Sequence, residues 1–495
     1  MKKLSFVLLL VVAMVFVSCK EEGGDALGMI PGDADFVAAV DAGSLIKKAD
    51  IKIDNGQVVF PESYSSLTSG LSAKDMEDLS RVAESGIDFT KKMYFFGTND
   101  FEVVGIIPTN DKEAFKAFLE KENEETMETD GDLYKMNEGS MIVFISDNNI
   151  VFGQPKYSVD NATAEAYIKS IIANGSQPSI KENADAMEML DRDVDMAMFG
   201  DYKRMMELSG EKIDVMAYGK ALGEYIDAIR GIGFTLNFGK KDVEMGYEAF
   251  YDENNAMVKQ CLAVMGAPSA EGLKFIPVDI QLVFSGSAKG EEILKIEAFK
   301  TALGNIEPNA FITNEEIKDY IAGIDGPITI GWNYVDYLAN RYSMPQVYGA
   351  IKTDKADEMC RKLQSTINGF GFIACQKVGD EYVLNASTAD AIAFGSKDGF
   401  FYFRTTNRPV KESLYDDDLA RGIFESTPGG CYVNLLKGSR ANSMLTSMAP
   451  NLDFSGYVEG KTIDDNSASV KLVVEEPESA NVLETLLMIA AQNVR

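Results

Sequence analysis

Two clusters of aspartate contain the residue type that binds hard metal ions. Asp191, Asp193 and Asp195 alternate along the chain, and Asp416 to Asp418 follow one another directly. Carboxylate oxygens suit calcium, but neither cluster has the spacing of an EF-hand loop, with its central glycine and final glutamate. Short acidic runs of this kind are typical of solvated loops and helix caps. We therefore predict no metal site and no cofactor.

The absence of histidine limits the catalytic chemistry of this chain. With no histidine in 495 residues, it has neither a Ser-His or Cys-His nucleophile pair nor an HExxH zinc site. Ser44 to Lys47 and Ser209 to Lys212 match the SxxK pattern. That pattern is short, and the partner motifs of a serine-lysine acyl enzyme are missing. Catalysis would have to use carboxylates, lysine, tyrosine or serine, and the sequence assigns no catalytic residue.

A glycine-containing segment, Gly456 to Thr462, has a partial likeness to a phosphate-binding P-loop. It has three residues between its glycines, where the P-loop motif has four. The segment also leads into Ile463 and a further strand pattern, whereas a phosphate cradle needs the N-terminus of a helix. We predict a β-hairpin here.

Four cysteines in the body of the chain form no CxxC pair and no cluster with zinc-ligand spacing. They are Cys261, Cys360, Cys375 and Cys431. Two of them fall in helical patterns and Cys431 falls in a strand pattern, where a free cysteine behaves as a small apolar residue. An even number in an oxidising compartment also permits disulfides, so their pairing stays open. We favour buried thiols.

The N-terminus contains the residue with the most specific predicted chemistry, Cys19. Lys2 and Lys3 precede a short apolar run, and Ser18 places a small residue directly before the cysteine. This layout predicts a signal peptide over residues 1–18 with an ending that resembles a lipobox. In a lipobox the thiol is diacylated with chains such as palmitate and the peptide is cut before the cysteine. Several acyl chains anchor a protein stably where one does not.

The residues after the lipidated cysteine predict where the protein is displayed. Lys20, Glu21 and Glu22 follow Cys19 at once and resemble the surface-export signal of Bacteroidota lipoproteins. Glycines continue this charged segment, so residues 19–28 are expected to form a flexible tether. We predict a protein that is lipid-anchored in the outer membrane and faces the cell exterior.

The charge of the chain limits its partners. Removal of the signal peptide takes away Lys2 and Lys3 and no acidic residue, so the formal charge moves from −30 to −32. Such a surface repels nucleic acid and anionic lipid head groups. We therefore predict no nucleic-acid partner. Basic proteins and divalent cations remain compatible with this charge.

The pattern of strands and helices repeats along the chain. Gly105 to Asp111 reads as a strand and loop before a helix over 113–122, and the segment from Gly349 has the same layout before a helix over 357–367. Phe115 and Leu119 correspond to Met359 and Leu363, an i,i+4 apolar pair that is expected to face a sheet in each copy. Hairpin patterns follow both helices in the same order.

These elements predict an α+β protein of two related halves. The predicted halves are residues 29–267 and 273–495, joined within 267–272. Frequent hairpin signals between single amphipathic helices favour a mainly antiparallel sheet in each half, with the helices on one face. A length of 495 residues is sufficient for two such cores.

Three features together resemble an uncharacterised Bacteroidota lipoprotein family, domain of unknown function 4836. They are the lipobox, the segment Met29 to Asp41 and the strand Gly349 to Asp354. The resemblance covers nearly the whole mature chain. Its motifs are structural rather than catalytic, so it implies no activity and no functional residues.

We expect a surface-exposed outer-membrane lipoprotein that acts as a non-catalytic binding or scaffold protein. Its expected partners are the membrane, through the lipid at Cys19, and an outer-membrane protein. The alternative is an enzyme that uses carboxylates alone, such as a glycan hydrolase. A deep cleft with two close carboxylates would favour the enzyme, and a shallow, convex surface would favour the binding protein. The acidic residues of such an enzyme cannot be chosen from the 77 in the sequence.

Overall fold

The computed structural model describes residues 26–54, 57–62, 73–209, 227–304, 312–333, 345–370, 374–384, 391–406, 408–436, 438–439, 441–443, 455–475 and 482–483. The chain divides into two compact units. The first unit contains the described residues of Met1–Lys212, Arg230–Phe250 and Pro477–Arg495, and the second those of Ile213–Ile229 and Tyr251–Glu476. The predicted boundaries at 267 and 273 stay a prediction.

The first unit is built on an antiparallel sheet. Its strands are β1 (Phe36–Val40), β4 (Met93–Gly97), β5 (Phe101–Pro108), β6 (Glu128–Asp130), β7 (Leu133–Glu138), β8 (Met141–Ile145), β9 (Asn149–Pro155), β10 (Met196–Asp201), β11 (Ile229–Phe238) and β12 (Asp242–Tyr251), with a separate hairpin of β2 (Lys52–Asp54) and β3 (Gln57–Val59). The order across the sheet is β11, β10, β1, β4, β5, β9, β8, β7, β6. Strand β12 follows β11 through a turn at Gly239.

Helices cover both faces of this sheet. They are α1 (Ala26–Met29), α2 (Ala42–Lys48), α3 (Ala73–Ala83), α4 (Lys112–Asn123), α5 (Asn161–Asn174), α6 (Ala184–Leu190) and α7 (Tyr202–Ser209). Helices α2, α3 and α4 bury apolar residues in one core with Ile107, whereas α5 and α6 share a second core with Ile106. Neighbouring strand residues point to opposite faces, so the two cores lie on opposite faces. Asp111 and Asp160 cap α4 and α5.

The second unit has its own antiparallel sheet. Its strands are β13 (Leu282–Lys289), β14 (Ile324–Asn333), β15 (Gln346–Thr353), β16 (Cys375–Val378), β17 (Glu381–Leu384), β18 (Ile392–Lys397), β19 (Phe400–Arg404), β20 (Gly429–Leu435), β21 (Gly456–Thr462) and β22 (Ser467–Val474). The order across the sheet is β22, β21, β20, β13, β14, β15, β19, β18, β17, β16.

Helices again lie on both faces. They are α8 (Ala256–Ala263), α9 (Gly290–Ile293), α10 (Glu297–Gly304), α11 (Asn314–Ala322), α12 (Ala356–Gly369) and α13 (Asp418–Glu425). Helix α13 packs in one core with Tyr348, and α12 packs in another with Ile351 on the opposite face. The prediction of helices on one face is therefore wrong. Strands such as β8 and β18 have buried apolar residues on both faces, and both faces need cover.

Several predicted elements are confirmed in position. The predicted helices over 113–122 and 357–367 are α4 and α12. Phe115 and Leu119 are buried as expected, but Leu363 is 37% exposed. Met359 is partly buried against the core as expected, and Ala356 and Cys360 are the buried residues of α12.

One pair of strands in each unit has the same close contact between a glycine and a phenylalanine. Gly105 of β5 lies opposite Phe152 of β9, and Gly349 of β15 lies opposite Phe403 of β19. A Cβ atom at either glycine would stand 2.3 Å from the phenylalanine ring. Each phenylalanine therefore occupies the space that a side chain on the neighbouring strand would need.

Candidate functional site

The second unit has a cavity on one face of its sheet, above β15, β17, β18 and β19. Its volume is about 350 Å³. Residues two apart on a strand point to the same face, and Tyr402 and Arg404 of β19 line the cavity together. Tyr348 of β15 and Glu381 of β17 also line it, and Phe275 forms part of its wall. The volume falls within the range of about 300–1,000 Å³ that is usual for small-molecule sites.

Arg404 and Glu381 form a bidentate ion pair in this cavity. Arg404 Nη2 donates to Glu381 Oε2 at 2.8 Å, and Nη1 donates to Oε1. The Nε atom of Arg404 donates to the carbonyl oxygen of Thr406 at 3.1 Å. Only 7% of Arg404 is exposed. Charge-assisted bidentate bonds of this kind fix the plane of the guanidinium group.

Tyr402 forms an aromatic wall with Phe275. Their ring centroids are 4.9 Å apart and the rings are nearly parallel, with an interplanar angle of 20°. Burial, and then the negative charge of Glu381 and a hydrogen bond to it, raise the pKa of Tyr402 to about 12. The phenol is therefore neutral. A Cβ atom at Gly395 would stand 2.6 Å from Tyr402 Oη, so the glycine makes room for the phenol.

A second cavity of about 700 Å³ adjoins the first and shares Tyr348 and Pro409 with it. Three cations line the two cavities without an ion pair to any residue that the structure describes. They are Lys397, Arg408 and Lys411. Asp279 and Glu412 also line the larger cavity, and Asp398 and Lys274 the smaller. The two cavities together are lined by five basic and four acidic side chains, whereas the chain as a whole has 47 basic and 77 acidic residues.

The first unit has a helix where the second has this cavity. In the first unit, α5 follows β9 and buries Ala164, Ile168 and Ile171 against the sheet. In the second unit only residues 405–413 separate β19 from the 3₁₀ helix Leu414–Asp416, and their described residues form no helix. Among the described residues, no helix like α5 covers the sheet at this position.

The floor of the cavity differs in polarity from the matching face of the first unit. When the strands are aligned through the glycine and phenylalanine pairs above, Val151 and Gly153 of β9 correspond to Tyr402 and Arg404 of β19. Val151 is fully buried under α5. The second unit therefore has polar side chains where the first has an apolar face under a helix.

Sequence reasoning did not find this site. Tyr402 and Arg404 alternate with Phe401 and Phe403, which is the normal pattern of a strand with one polar face. The available signal was the short connection after β19, because nine residues cannot contain a helix as long as α5. Only a comparison of the two units at this loop would have shown the difference.

The structure separates the predicted aspartate cluster at 191–195. Asp191 ends α6, Asp193 is exposed, and Asp195 is completely buried. The carboxylate of Asp195 accepts from Ser44 Oγ at 2.5 Å, from Lys48 Nζ at 2.8 Å and from the Phe238 N–H at 2.6 Å. It ties helix α2 to strands β10 and β11, so we assign it a structural role.

The residues at 416–418 take part in helix capping and ion pairing. Asp417 caps α13 by accepting from the N–H groups of Leu419 and Ala420. Asp416 accepts from Ser413 Oγ at 3.0 Å, and Asp418 pairs with Arg421. Within the described ranges, no group of three or more carboxylates or cysteines could hold a metal ion.

The remaining sequence motifs are the two SxxK matches and the glycine-containing segment. The hydroxyl of Ser44 donates a hydrogen bond to Asp195 and not to Lys47. Residues 210–212 of the second SxxK match lie outside the described residues. Gly456 to Thr462 forms strand β21 of the predicted hairpin.

All four cysteines of the body are free. Cys360 and Cys375 are buried as expected, whereas Cys261 and Cys431 are only half-buried, so the prediction is wrong for these two. Cys431 lies on a sheet face next to Phe284, an exposed residue of the neighbouring strand.

The described residues do not include the predicted signal peptide over 1–18, Cys19, or the export residues Lys20, Glu21 and Glu22.

A family model described as Domain of unknown function (DUF4836) matches residues 27–423. The chain belongs to this family. The match includes the cavity residues of β15 to β19 and ends within helix α13.

Comparison with other proteins adds no activity to this family membership. The crystal form IV structure of TP0453 is 10% identical, with a TM-score of 0.29 over 45% of this chain and 80% of that chain. Crystal form I of TP0453 is 8% identical, with a TM-score of 0.27 over 52% of this chain and 90% of that chain. TM-scores this low do not establish a common fold. The chain has no match among curated proteins.

None of the helices in the described part of the chain is long and apolar enough to cross a membrane.

Proposed function

We propose that this protein is a non-catalytic binding protein, anchored by lipid at Cys19 to the outer membrane and facing the cell exterior. Its ligand binds in the cavity of about 350 Å³ that Tyr402, Arg404 and Glu381 line in the second unit, which we call the Tyr402 cavity. The observation that carries this proposal is the polar cavity on the sheet face, at a position that α5 covers in the first unit. A face that needed only to be buried would be covered by a helix, as it is in the first unit.

The geometry of the cavity favours binding over hydrolysis. A glycan hydrolase needs two carboxyl groups that flank the scissile bond. Both oxygens of Glu381 accept hydrogen bonds from Arg404, so this carboxylate holds the guanidinium group in place. The other carboxylate of the cavity, Asp398, lies in an exposed turn. No observation at this cavity favours the enzymatic alternative.

The proposal includes two related halves, over 29–267 and 273–495. The support is the common strand order of the two sheets, with β1, β4 and β5 in the positions of β13, β14 and β15. Pro31 bridges to Ser179 in the first unit, and Pro277 bridges to Ser413 in the second. Two copies of one fold would explain why the second could lose a helix without losing its sheet.

The binding proposal is tested by filling the cavity. Val410 lines the cavity and is half-buried, so Val410→Trp should occupy part of its volume. The full mature protein would be purified from native membranes in mild detergent, and small molecules released on denaturation would be identified by mass spectrometry. Leu419→Trp, on the exposed side of α13, is the matched control. We expect a molecule that co-purifies with wild type and the control but not with Val410→Trp, and equal amounts in all three would contradict the proposal.

The anchor and its orientation are tested separately. Palmitate should label wild type but not Cys19→Ala, and equal label on both would end the lipoprotein proposal. Replacement of Lys20, Glu21 and Glu22 by alanine should leave the label intact and protect the protein from external protease on whole cells. Wild type that is already protected on sealed cells would contradict the outward orientation. Co-purification under mild detergent also tests for an outer-membrane protein partner.

A further inference from the structure

We propose that the ligand of the Tyr402 cavity is a small organic anion, namely a molecule that has one or two rings and a carboxylate group. This inference rests on the proposed binding function and adds the chemical class of the ligand. An acidic sugar and an aromatic acid share this chemistry, and the experiment below distinguishes them.

The charge distribution supports an anion. The sequence contains 47 basic and 77 acidic residues, so an unpaired cation on this protein has many carboxylates available as partners. Lys397, Arg408 and Lys411 line the two adjoining cavities, yet none forms an ion pair with a described residue. Cations that are left without partners around a concave surface attract and hold anions.

Arg404 provides hydrogen-bond donors at the floor of the cavity. A guanidinium group has five N–H donors. Three of them are used, two on Glu381 and one on the carbonyl oxygen of Thr406. The remaining two have no acceptor among the described residues. A carboxylate in the cavity would accept from these donors, in the type of charge-assisted bond that is about twice as strong as a neutral one.

The wall of the cavity supports a ring. Tyr402 and Phe275 present aromatic surface, and Tyr348 adds a third aromatic side chain. Aromatic faces and edges pack well against flat rings and against the apolar faces of sugar rings. Because the Tyr402 phenol stays neutral, it does not repel an anion.

The polarity of the floor argues against a helix of another protein as the occupant. An amphipathic helix that replaced α5 would need an apolar floor, such as Val104, Phe144 and Val151 provide in the first unit. In the second unit Tyr402, Arg404 and Glu381 form the floor. Burial of Arg404 and Glu381 under an apolar surface would cost free energy. A polar ligand would offset this cost by forming hydrogen bonds with them.

The test measures binding of three probes to the full mature chain by calorimetry: glucuronate, benzoate and neutral glucose. We expect glucuronate or benzoate to bind at least tenfold more tightly than glucose, and the tighter of the two identifies an acidic sugar or an aromatic acid. The double variant Lys397→Gln, Arg408→Gln should weaken that binding at least tenfold. Lys259→Gln, an exposed lysine of α8, should leave it unchanged.

The outcomes separate this inference from the proposed function. Binding of glucose as tightly as both anions, or unchanged anion binding in the double variant, would overturn the anionic class. The proposed function would survive that result if Val410→Trp still lost its co-purified molecule. No binding of either anion, together with capture of an apolar helical peptide that Val410→Trp abolishes, would overturn the inference in favour of a protein occupant.

Discussion

Arg404 and Glu381 lie on two strands that are separated by a third, and their side chains meet across it in a bidentate ion pair with Nη2 to Oε2 at 2.8 Å. Glu381 lies opposite Gly395 of the middle strand, β18, and Arg404 lies opposite Ala393, so the pair runs diagonally across a strand with small residues at both positions. Arg404 is nearly buried, whereas a quarter of the Glu381 side chain is exposed. The ion pair thus sets the position of the guanidinium group at the floor of the cavity.

Loss of the Glu381 charge should destabilise the second unit. Glu381→Gln leaves a nearly buried guanidinium group without its counter-charge, and we expect a loss of about 1–3 kcal/mol in the free energy of unfolding. Chemical denaturation measures this loss. The control is Glu315→Gln, which breaks an exposed i,i+3 pair with Lys318 and should change stability by less than about 1 kcal/mol. Equal effects of the two substitutions would show that the Arg404 pair has no special role.

A methyl group at Gly395 should displace the phenol of Tyr402. The added Cβ would stand 2.6 Å from Tyr402 Oη, so the ring must move. We expect Gly395→Ala to cost about 1–3 kcal/mol of stability, as other overpacked sites do. Gly422→Ala is the control, because its Cβ would meet open space on α13 and alanine favours a helix by about 1 kcal/mol. A stabilising effect at both glycines would contradict the close contact.

Tyr402 should make stability depend on pH at high pH. Burial, and then Glu381, raise its pKa from 10.0 to about 12 in the folded protein. The unfolded chain releases this proton near pH 10 and the folded chain only near pH 12, so the contribution to stability is complete below pH 10 and is lost as pH rises to 12. Tyr402→Phe should therefore lose less stability than wild type over this interval.

The pH effect is measured by chemical denaturation at several pH values between 9 and 12, together with the ultraviolet absorbance of tyrosinate. Tyr157→Phe, at a fully exposed position, is the control for the other tyrosines. Parallel stability curves for Tyr402→Phe and wild type would show that Tyr402 titrates alike in both states.

The elements of the fold were largely predictable because they depend on local patterns. Phe115 and Leu119 recur at helical spacing after Asp111, a good N-cap residue, and α4 forms there. The cavity was not predictable in this way. It depends on the short connection after β19, whose described residues form no helix, and on Gly395, whose role follows from its neighbour on another strand. The exposed position of Leu363 has a similar cause, because tertiary packing decides which stripe of α12 faces the sheet.

The buried carboxylate of Asp195 should be one of the most sensitive positions in the first unit. Three donors from α2 and the β11 region converge on it, and Lys48 supplies the counter-charge. Asp195→Asn should cost about 3–5 kcal/mol, because removal of one partner leaves the other charge uncompensated. The Lys48 side chain is 27% exposed, so Lys48→Met should cost less. A double-mutant cycle measures the coupling, and strictly additive losses would contradict a direct ion pair.

Gly105 and Gly349 should respond to substitution in the same way if the two halves are related copies. At both positions a Cβ atom would stand 2.3 Å from the ring of the phenylalanine on the neighbouring strand. Because neither ring can move without disturbing its core, we expect Gly105→Ala and Gly349→Ala each to cost about 1–3 kcal/mol. Replacement of the opposing Phe152 or Phe403 by leucine should recover part of the loss at its own glycine only. Chemical denaturation of the single and double variants measures these terms. A large loss at one glycine and none at the other, or recovery by the wrong phenylalanine, would show that the two strand pairs are packed differently and would remove this support for a duplication.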